Sequence, residues 1–320
     1  MAIYNHERSF AEVYADPSVS SKVKERLHLV EDLKKMVENE LGVKATSNYT
    51  SFVQLDRPVA NWVLIVAEPY ELKDKNWCFP IVGCFPYLGF FKKDMAQAWA
   101  EKYKQQGYDT HVRGAAAYST LGYLRDPLLS SMLSRDDGDM ANLIFHETTH
   151  SHIYLSGQGA FNEGVASFIG EYGERLFLSK KHGEKSDAVK KWAEQLNHRR
   201  QFGVTLRDFA DQLKKIYKES PQNKEAKNRA FSLFREKLKQ DETYGNGAES
   251  FTNNAVVLAH LTYDDDQSLY DAVYAKCSQD LKKSLSYLQG FSKKFEKNKD
   301  FKDTKIQDAL RSYLDNVPCG

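Results

Sequence analysis

The chain has 320 residues, a formal net charge of +1 and a hydrophobic content of 41%. The near-zero charge excludes general electrostatic attraction to nucleic acid, and the hydrophobic content excludes a disordered chain. No apolar run approaches the roughly eighteen residues that a membrane-spanning helix needs, so we predict no transmembrane segment in this chain.

The first 120 residues alternate between helical and strand patterns. Helices show apolar residues at spacings of three and four, whereas strands appear as short apolar runs bounded by turn residues. These elements are helices over 21–41 and 94–106 and strands over 62–67 and 110–118. The alternation predicts an α+β fold in which helices pack on a small sheet.

Four cysteines are too few for a disulfide scaffold. Cys78 and Cys84 are six apart in the Pro- and Gly-containing segment CFPIVGC. Residues 79–85 predict a strand, which Pro80 and Pro86 make an edge or irregular one. The two cysteines either meet across a tight turn, as a disulfide of an oxidising compartment would, or remain buried thiols. Cys277 and Cys319 are interpreted as isolated.

Residues 146–150 read His-Glu-Thr-Thr-His, which is an HExxH pattern, and Glu163 follows after twelve further residues. Residues four apart on a helix differ by about 40° around the axis and about 6 Å along it, so His146 and His150 can face one metal ion. Glu147 lies at the edge of that face, where it can deprotonate a water. This pattern predicts a catalytic zinc site with Glu163 as third ligand and a fourth position open for water.

A second helix is predicted over 160–177. Glu163 lies nearly opposite the apolar face of this helix, beside small residues such as Ala166 and Gly173. Small side chains there would let the motif helix approach closely. The alternative interpretation is an ordinary amphipathic helix with surface histidines and a solvated glutamate.

The segments HETTH and AFNEGVASFIGE resemble the gluzincin pattern, in which the Glu of N-E-x-x-A is a ligand. Over most of its length the chain is similar to the bacterial family called putative aminopeptidases. The segments that carry this resemblance also include 77–80, 83–84, 87–91, 107–109, 117–122, 126–129 and 253–255. The resemblance implies a zincin-like core and one Zn²⁺ per chain, with His146, His150 and Glu163 as ligands and Glu147 as base.

The family also informs the expected location. Its members typically begin with a lipoprotein signal segment. The resemblance therefore implies a periplasmic or membrane-anchored protein, with a lipid anchor in the full-length precursor. The given chain does not show that segment. A cytoplasmic protein is the alternative, since Met1-Ala2-Ile3 is compatible with either origin.

Helical spacing continues through the second half of the chain. A charged helical hairpin is predicted over 186–244, with a break at Ser220-Pro221, and its mixed charges indicate a solvated surface rather than a nucleic-acid arm. We therefore expect a catalytic core over 1–180, the hairpin within 181–245, and helices over 246–320 that pack back on the core.

Four further residues are candidates for substrate chemistry. A strand shortly before the motif helix would hold substrate backbone, which nominates Tyr118 and Ser119. Asn254 is a candidate to orient the substrate, and the Tyr263 hydroxyl to stabilise the oxyanion. Each also has a simpler role, in a strand end, a helix cap or a packed helix end.

The sequence thus predicts zinc-dependent peptide-bond hydrolysis, with the aminopeptidase specificity taken from the resemblance. The alternatives are an endopeptidase and a zinc-binding scaffold protein with a weakly active site and the 186–244 hairpin as partner surface. The expected partner is a peptide substrate, and the sequence does not indicate the oligomeric state.

Overall fold

The computed structural model describes residues 6–79, 83–116, 125–241, 243–261, 267–297 and 304–320. The predicted α+β class is confirmed, with most residues in helices. The strands are β1 (Arg8–Ser9), β2 (Ser51–Val53), β3 (Asn61–Ala67), β4 (Trp77–Phe79), β5 (Gly83–Phe85), β6 (Tyr87–Phe90), β7 (Asp109–Ala115) and β8 (Leu128–Leu129).

The helices are α1 (Phe10–Ala15), α2 (Ser21–Leu41), α3 (Lys93–Gln105), α4 (Asp137–His150), α5 (Gly159–His182), α6 (Asp187–Glu219), α7 (Lys224–Lys239), α8 (Asn254–Leu261), α9 (Ser268–Lys276), α10 (Leu281–Lys297) and α11 (Ile306–Asn316). None of the helices in the described ranges has the length and apolar content required to span a bilayer.

Two compact units divide the chain, and both are assembled from separated segments. The first comprises Met1–Pro58, Ser119–Leu196 and Asp265–Gly320, and the second comprises Val59–Tyr118 and Asn197–Asp264. This division differs from the consecutive segments 1–180, 181–245 and 246–320 expected from sequence. The reason is that strands early in the chain share a unit with helices from its second half.

The first unit combines a small mixed sheet with the helices of the HExxH motif. Its central strand β2 pairs antiparallel with β1 and parallel with β8. Helix α2 ends at Gly42, which adopts φ 65° and accommodates the left-handed turn at the helix end.

The C-terminal tail of the first unit is held by a disulfide between Cys277 and Cys319. The interpretation of these two cysteines as isolated is therefore wrong. They are 42 residues apart, and only the packing of α11 beside α9 brings the tail to Cys277, a proximity that sequence spacing does not reveal.

The second unit contains the antiparallel sheet β6-β3-β7, with β3 in the centre. In place of the irregular strand expected over 79–85, the described residues form two antiparallel strands, β4 and β5, in which Phe79 pairs with Gly83. That register sets Cys78 opposite Cys84, and Cys78 is disulfide-bonded.

The predicted helical hairpin is confirmed as α6 and α7, which are separated at residues 220–223. Its apolar stripes are buried with α8 in one core, whose members include Leu206, Phe209, Leu213, Phe231, Phe234 and Leu238.

Lys227 of α7 is also buried, and its Nζ bonds to Asp109 Oδ2 at 2.5 Å and to the Pro69 carbonyl at 2.7 Å. Asp109 Oδ2 also accepts from the Asn254 N–H at 2.8 Å.

Replacing Lys227 with Met is expected to destabilise the protein by about 3–5 kcal/mol, because it leaves the Asp109 carboxylate buried without its cation. The side chains of Lys227 and Asp109 are only 9% and 15% exposed. The measurement is the free energy of unfolding in urea. Lys237→Met, at an exposed position of the same helix, is the control and should change stability by no more than about 0.5 kcal/mol. Equal effects of the two substitutions would contradict a structural role for the buried pair.

Candidate metal centre

Helix α4 holds both motif histidines on a firmly packed element. Its first turn is capped by Asp136, whose side chain accepts from the Asp139 N–H at 2.8 Å. The apolar residues Met140, Ile144 and Phe145 are fully buried. His146 and His150 follow one turn apart, with side chains 21% and 24% exposed, so both rings are partly accessible from solvent.

Helix α5 packs against α4 through two glycines. A Cβ atom at Gly173 would lie 2.2 Å from Cγ of Phe145, and one at Gly170 would lie 2.6 Å from Oδ1 of Asn142 and 3.2 Å from Cβ of His146. The first two separations are far shorter than any real carbon contact, so only glycine permits this approach. The sequence-based expectation that small residues bring the two helices together is confirmed at Gly173.

The turn between the two helices is fixed by Asn162, which immediately precedes Glu163. The Asn162 side chain accepts from the Leu155 N–H and donates to the Leu155 carbonyl, both at 2.8 Å. Asn162 is buried, at 4% exposure. These two hydrogen bonds hold the turn against the first turn of α5. They therefore set the position of Glu163 relative to α4.

Three potential ligand atoms converge at this helix pair. Nε2 of His146 and Nε2 of His150 are 3.1 Å apart, and the Glu163 carboxylate lies 3.5 Å from the first and 3.6 Å from the second. Among the described residues, this is the group of three His, Cys, Asp or Glu side chains whose donor atoms are close enough to share a metal ion.

These separations fit a tetrahedral zinc ion. With bonds of about 2.0–2.1 Å to nitrogen and oxygen, the edges of a ligand tetrahedron measure about 3.3–3.4 Å. The three observed separations lie on either side of that value. Two imidazoles and one carboxylate are also a donor set that zinc favours, and three protein ligands leave one corner for water.

The pKa shifts of His150 and Glu163 match metal ligation. Burial, together with the neighbouring His146, lowers the pKa of His150 to about 4. Burial raises the pKa of Glu163, but the hydrogen bond from His146 and the charges of both histidines outweigh it, so this pKa lies below its ordinary value. A neutral imidazole and an ionised carboxylate are the forms that bind a metal ion.

Glu147 occupies a different environment. Burial raises its pKa above the ordinary value, His146 opposes the shift, and the carboxylates of Glu163 and Asp126 add to it. A carboxyl with a raised pKa takes up a proton more readily than an exposed glutamate, which suits a general acid–base group.

The other predicted site residues are not joined to this group. Tyr118, Ser119 and Tyr263 lie outside the described residues, so their roles stay predictions. Asn254 is fully buried in the second unit, where its amide bonds to the Glu68 carbonyl and to the Tyr217 hydroxyl. These contacts give Asn254 a structural role and argue against substrate contact.

Two residues beside the site were missed from sequence. Asn162 is adjacent to Glu163 in the sequence. This adjacency could have indicated that Asn162 helps to fix the turn before Glu163. Tyr49 is 3% exposed, and its burial, followed by the charge of Glu147, raises its pKa well above the ordinary value. Nothing in the sequence links Tyr49 to a motif almost a hundred positions later.

Replacing Gly173 with Ala is expected to cost about 1–3 kcal/mol of stability, because the new methyl overlaps the Phe145 ring. The helices must separate to admit it, so zinc affinity should also fall, by roughly 10- to 100-fold. Competition with a chromogenic chelator measures the affinity. Gly159→Ala is the matched control on α5, since no atom lies within 4 Å of its added Cβ. Unchanged zinc affinity in Gly173→Ala would show that the glycine contact does not set the site.

Comparison with known proteins supplies one match. No curated protein and no solved structure matches the chain significantly. A family model described as "Putative aminopeptidase" matches residues 1–302, which is nearly the whole chain and includes every residue of the candidate centre. The chain therefore belongs to the putative aminopeptidase family.

Proposed function

We propose that the protein is a zinc-dependent peptidase that removes residues from the N-termini of short peptides. The observation that carries this proposal is the convergence of His146, His150 and Glu163 at separations suited to one tetrahedral ion, with Glu147 beside them. The family supports peptidase chemistry, and the zinc dependence rests on the donor set.

A zinc ion held by these three side chains would supply a Lewis acid that polarises the attacking water and the scissile carbonyl. His146 and His150 contribute neutral donors from one helix, and Glu163 contributes the negative charge from the next. The Asn162 hydrogen bonds and the glycine contacts hold α4 and α5 against each other. The three donor atoms are therefore preorganised for an ion.

Glu147 is proposed as the general base. Its carboxylate takes a proton from the attacking water and passes it to the leaving amine nitrogen when the peptide bond breaks. Burial holds its pKa above that of an exposed glutamate, which makes it a stronger base and then a usable acid. The Tyr263 hydroxyl and backbone donors near Tyr118 remain the proposed stabilisers of the oxyanion.

The periplasm is the proposed location. A disulfide joins Cys277 and Cys319, and Cys78 is also disulfide-bonded. Stable disulfides are typical of oxidising compartments and rare in the cytosol, so they support the location that the family resemblance implies.

Replacing Glu147 with Gln should leave about one zinc per chain but lower kcat/KM by roughly 10²- to 10⁴-fold, because an amide cannot take the water proton. Zinc content is measured by elemental analysis after dialysis, and turnover by mass spectrometry on a peptide library. Glu25→Gln, an exposed glutamate of α2 in the same unit, is the control and should retain full activity. Full activity of Glu147→Gln would refute its role as base.

The same library tests the terminus requirement. Each peptide is supplied with a free and with an acetylated N-terminus, and the proposal predicts that only the free form is shortened, one residue at a time. Activity should disappear with a chelator and return with zinc. Internal cleavage of acetylated peptides would instead identify an endopeptidase, and zinc binding without any turnover would favour a binding protein.

A further inference from the structure

Exposed apolar side chains are concentrated at one place in the second unit. In the part of the chain that the structure describes, seven large apolar side chains are exposed, and three of these occur within residues 91–99 at a spacing of four. They are Phe91, Met95 and Trp99, which are 56%, 50% and 40% exposed. Single exposed apolar residues are ordinary on a protein surface, whereas a cluster of them marks an interaction site.

The cluster is built on the flank of α3 that adjoins β6. Met95 and Trp99 share this flank, because residues four apart on a helix differ by about 40° around its axis. The centroid of the Trp99 ring lies 5.9 Å from that of Phe90 in β6 and 6.3 Å from that of Tyr103 in α3. Phe91 follows Phe90 at the junction of β6 and α3. We refer to these five residues as the apolar flank.

Two lysines lie against the rings of the apolar flank. Nζ of Lys102 is 5.5 Å from the centre of the Trp99 ring, and Nζ of Lys75 is 5.7 Å from the centre of the Tyr103 ring. Both distances are typical of cation–π contacts. A lysine that lies along apolar surface in this way can still extend its ammonium group to an anion at the edge of that surface.

The acidic residues of α3 lie on a different face of the helix. At 100° per residue, Lys102 is about 20° from Met95 around the axis, whereas Asp94 and Glu101 are about 100° and 120° from it. Both acids lie still farther from Trp99. The side of α3 with the exposed apolar residues therefore carries positive charge without an acid of the same helix, and this charge complements an anionic surface.

The shape of the apolar flank narrows the kind of partner. The plane of the Trp99 ring is inclined by 48° to that of Phe90 and by 43° to that of Tyr103. Rings inclined in this way do not form a flat platform on which successive bases could stack. The boundary of a bilayer is a better match, because aromatic side chains enter its headgroup region while lysines contact the lipid phosphates.

We propose that the apolar flank docks the protein on the surface of a bilayer that contains anionic phospholipids. Met95 and Trp99 enter the interface, and Lys102 and Lys75 contact phosphate groups. This docking requires neither zinc nor peptide hydrolysis, so its failure would leave the proposed function unaffected. A second copy of the chain is the competing occupant of the same face.

The test is co-sedimentation of the full chain with phosphatidylcholine vesicles, prepared with or without about 30% phosphatidylglycerol. The variants of the apolar flank and its lysines are Met95→Ser, Trp99→Ser and Lys102→Glu. Leu233→Ser is the control for a lost apolar group, since Leu233 is exposed on α7 of the same unit. Lys104→Glu is the control for net charge, since Lys104 is exposed on α3 about 180° from Met95.

Wild type is expected to bind the anionic vesicles at least about ten-fold more tightly than the neutral ones. Met95→Ser and Trp99→Ser should each weaken this binding about five- to ten-fold, because less apolar surface enters the interface. Lys102→Glu should weaken binding to the anionic vesicles about ten-fold. Lys104→Glu and Leu233→Ser should stay within about two-fold of wild type, since neither position faces the bilayer.

Melting temperatures are measured for every variant. If Trp99→Ser unfolds because its ring contacts are lost, Met95→Ser and Lys102→Glu decide the outcome, since both side chains are exposed.

Three results would overturn the inference. The first is a wild-type protein that stays in the supernatant with anionic vesicles. The second is a control variant that loses as much binding as Met95→Ser and Lys102→Glu, which indicates general charge or hydrophobicity instead of a defined face. The third is self-association of wild type in analytical ultracentrifugation that Met95→Ser abolishes, without any vesicle binding, which identifies a second copy as the occupant.

Discussion

The contact on which the candidate centre depends is the close approach of α5 to α4 at Gly170 and Gly173. One helix supplies two imidazoles and the other supplies a carboxylate, so the distance between the helices sets the distance between the donors. Side chains larger than hydrogen at these positions would keep the backbones apart. Because packed interiors resist small displacements, the absence of a Cβ atom at these two positions sets the separations of the three donor atoms.

Around this contact, separate polar links fix separate parts of the site. The Asn162 side chain forms two hydrogen bonds to the Leu155 backbone and so fixes the turn that precedes Glu163. The Thr46–Thr148 bond attaches the segment that carries Tyr49 to the helix that carries Glu147. Each link lies next to a residue of the candidate site without being a proposed ligand. The arrangement follows the principle that precise sites need support from a second layer of contacts.

Local patterns predicted most of the elements and the group of His146, His150 and Glu163, because their signals are short in range. The helix over 21–41 is observed at Ser21–Leu41, and the strand over 62–67 at Asn61–Ala67. The pairing of Cys277 with Cys319 was not predictable, since it depends on tertiary packing. The role of Asn254 could not be read from sequence, because an asparagine at a helix start has the same signature whether it binds substrate or bonds buried carbonyls.

The most direct test of the metal centre is X-ray absorption spectroscopy at the zinc edge on the purified, zinc-loaded protein. The structure predicts two imidazole ligands, recognisable by their multiple scattering, and light oxygen or nitrogen ligands only, at about 2.0–2.1 Å. A sulfur ligand at about 2.3 Å, or a spectrum without imidazole scattering, would contradict a zinc ion bound by His146, His150 and Glu163.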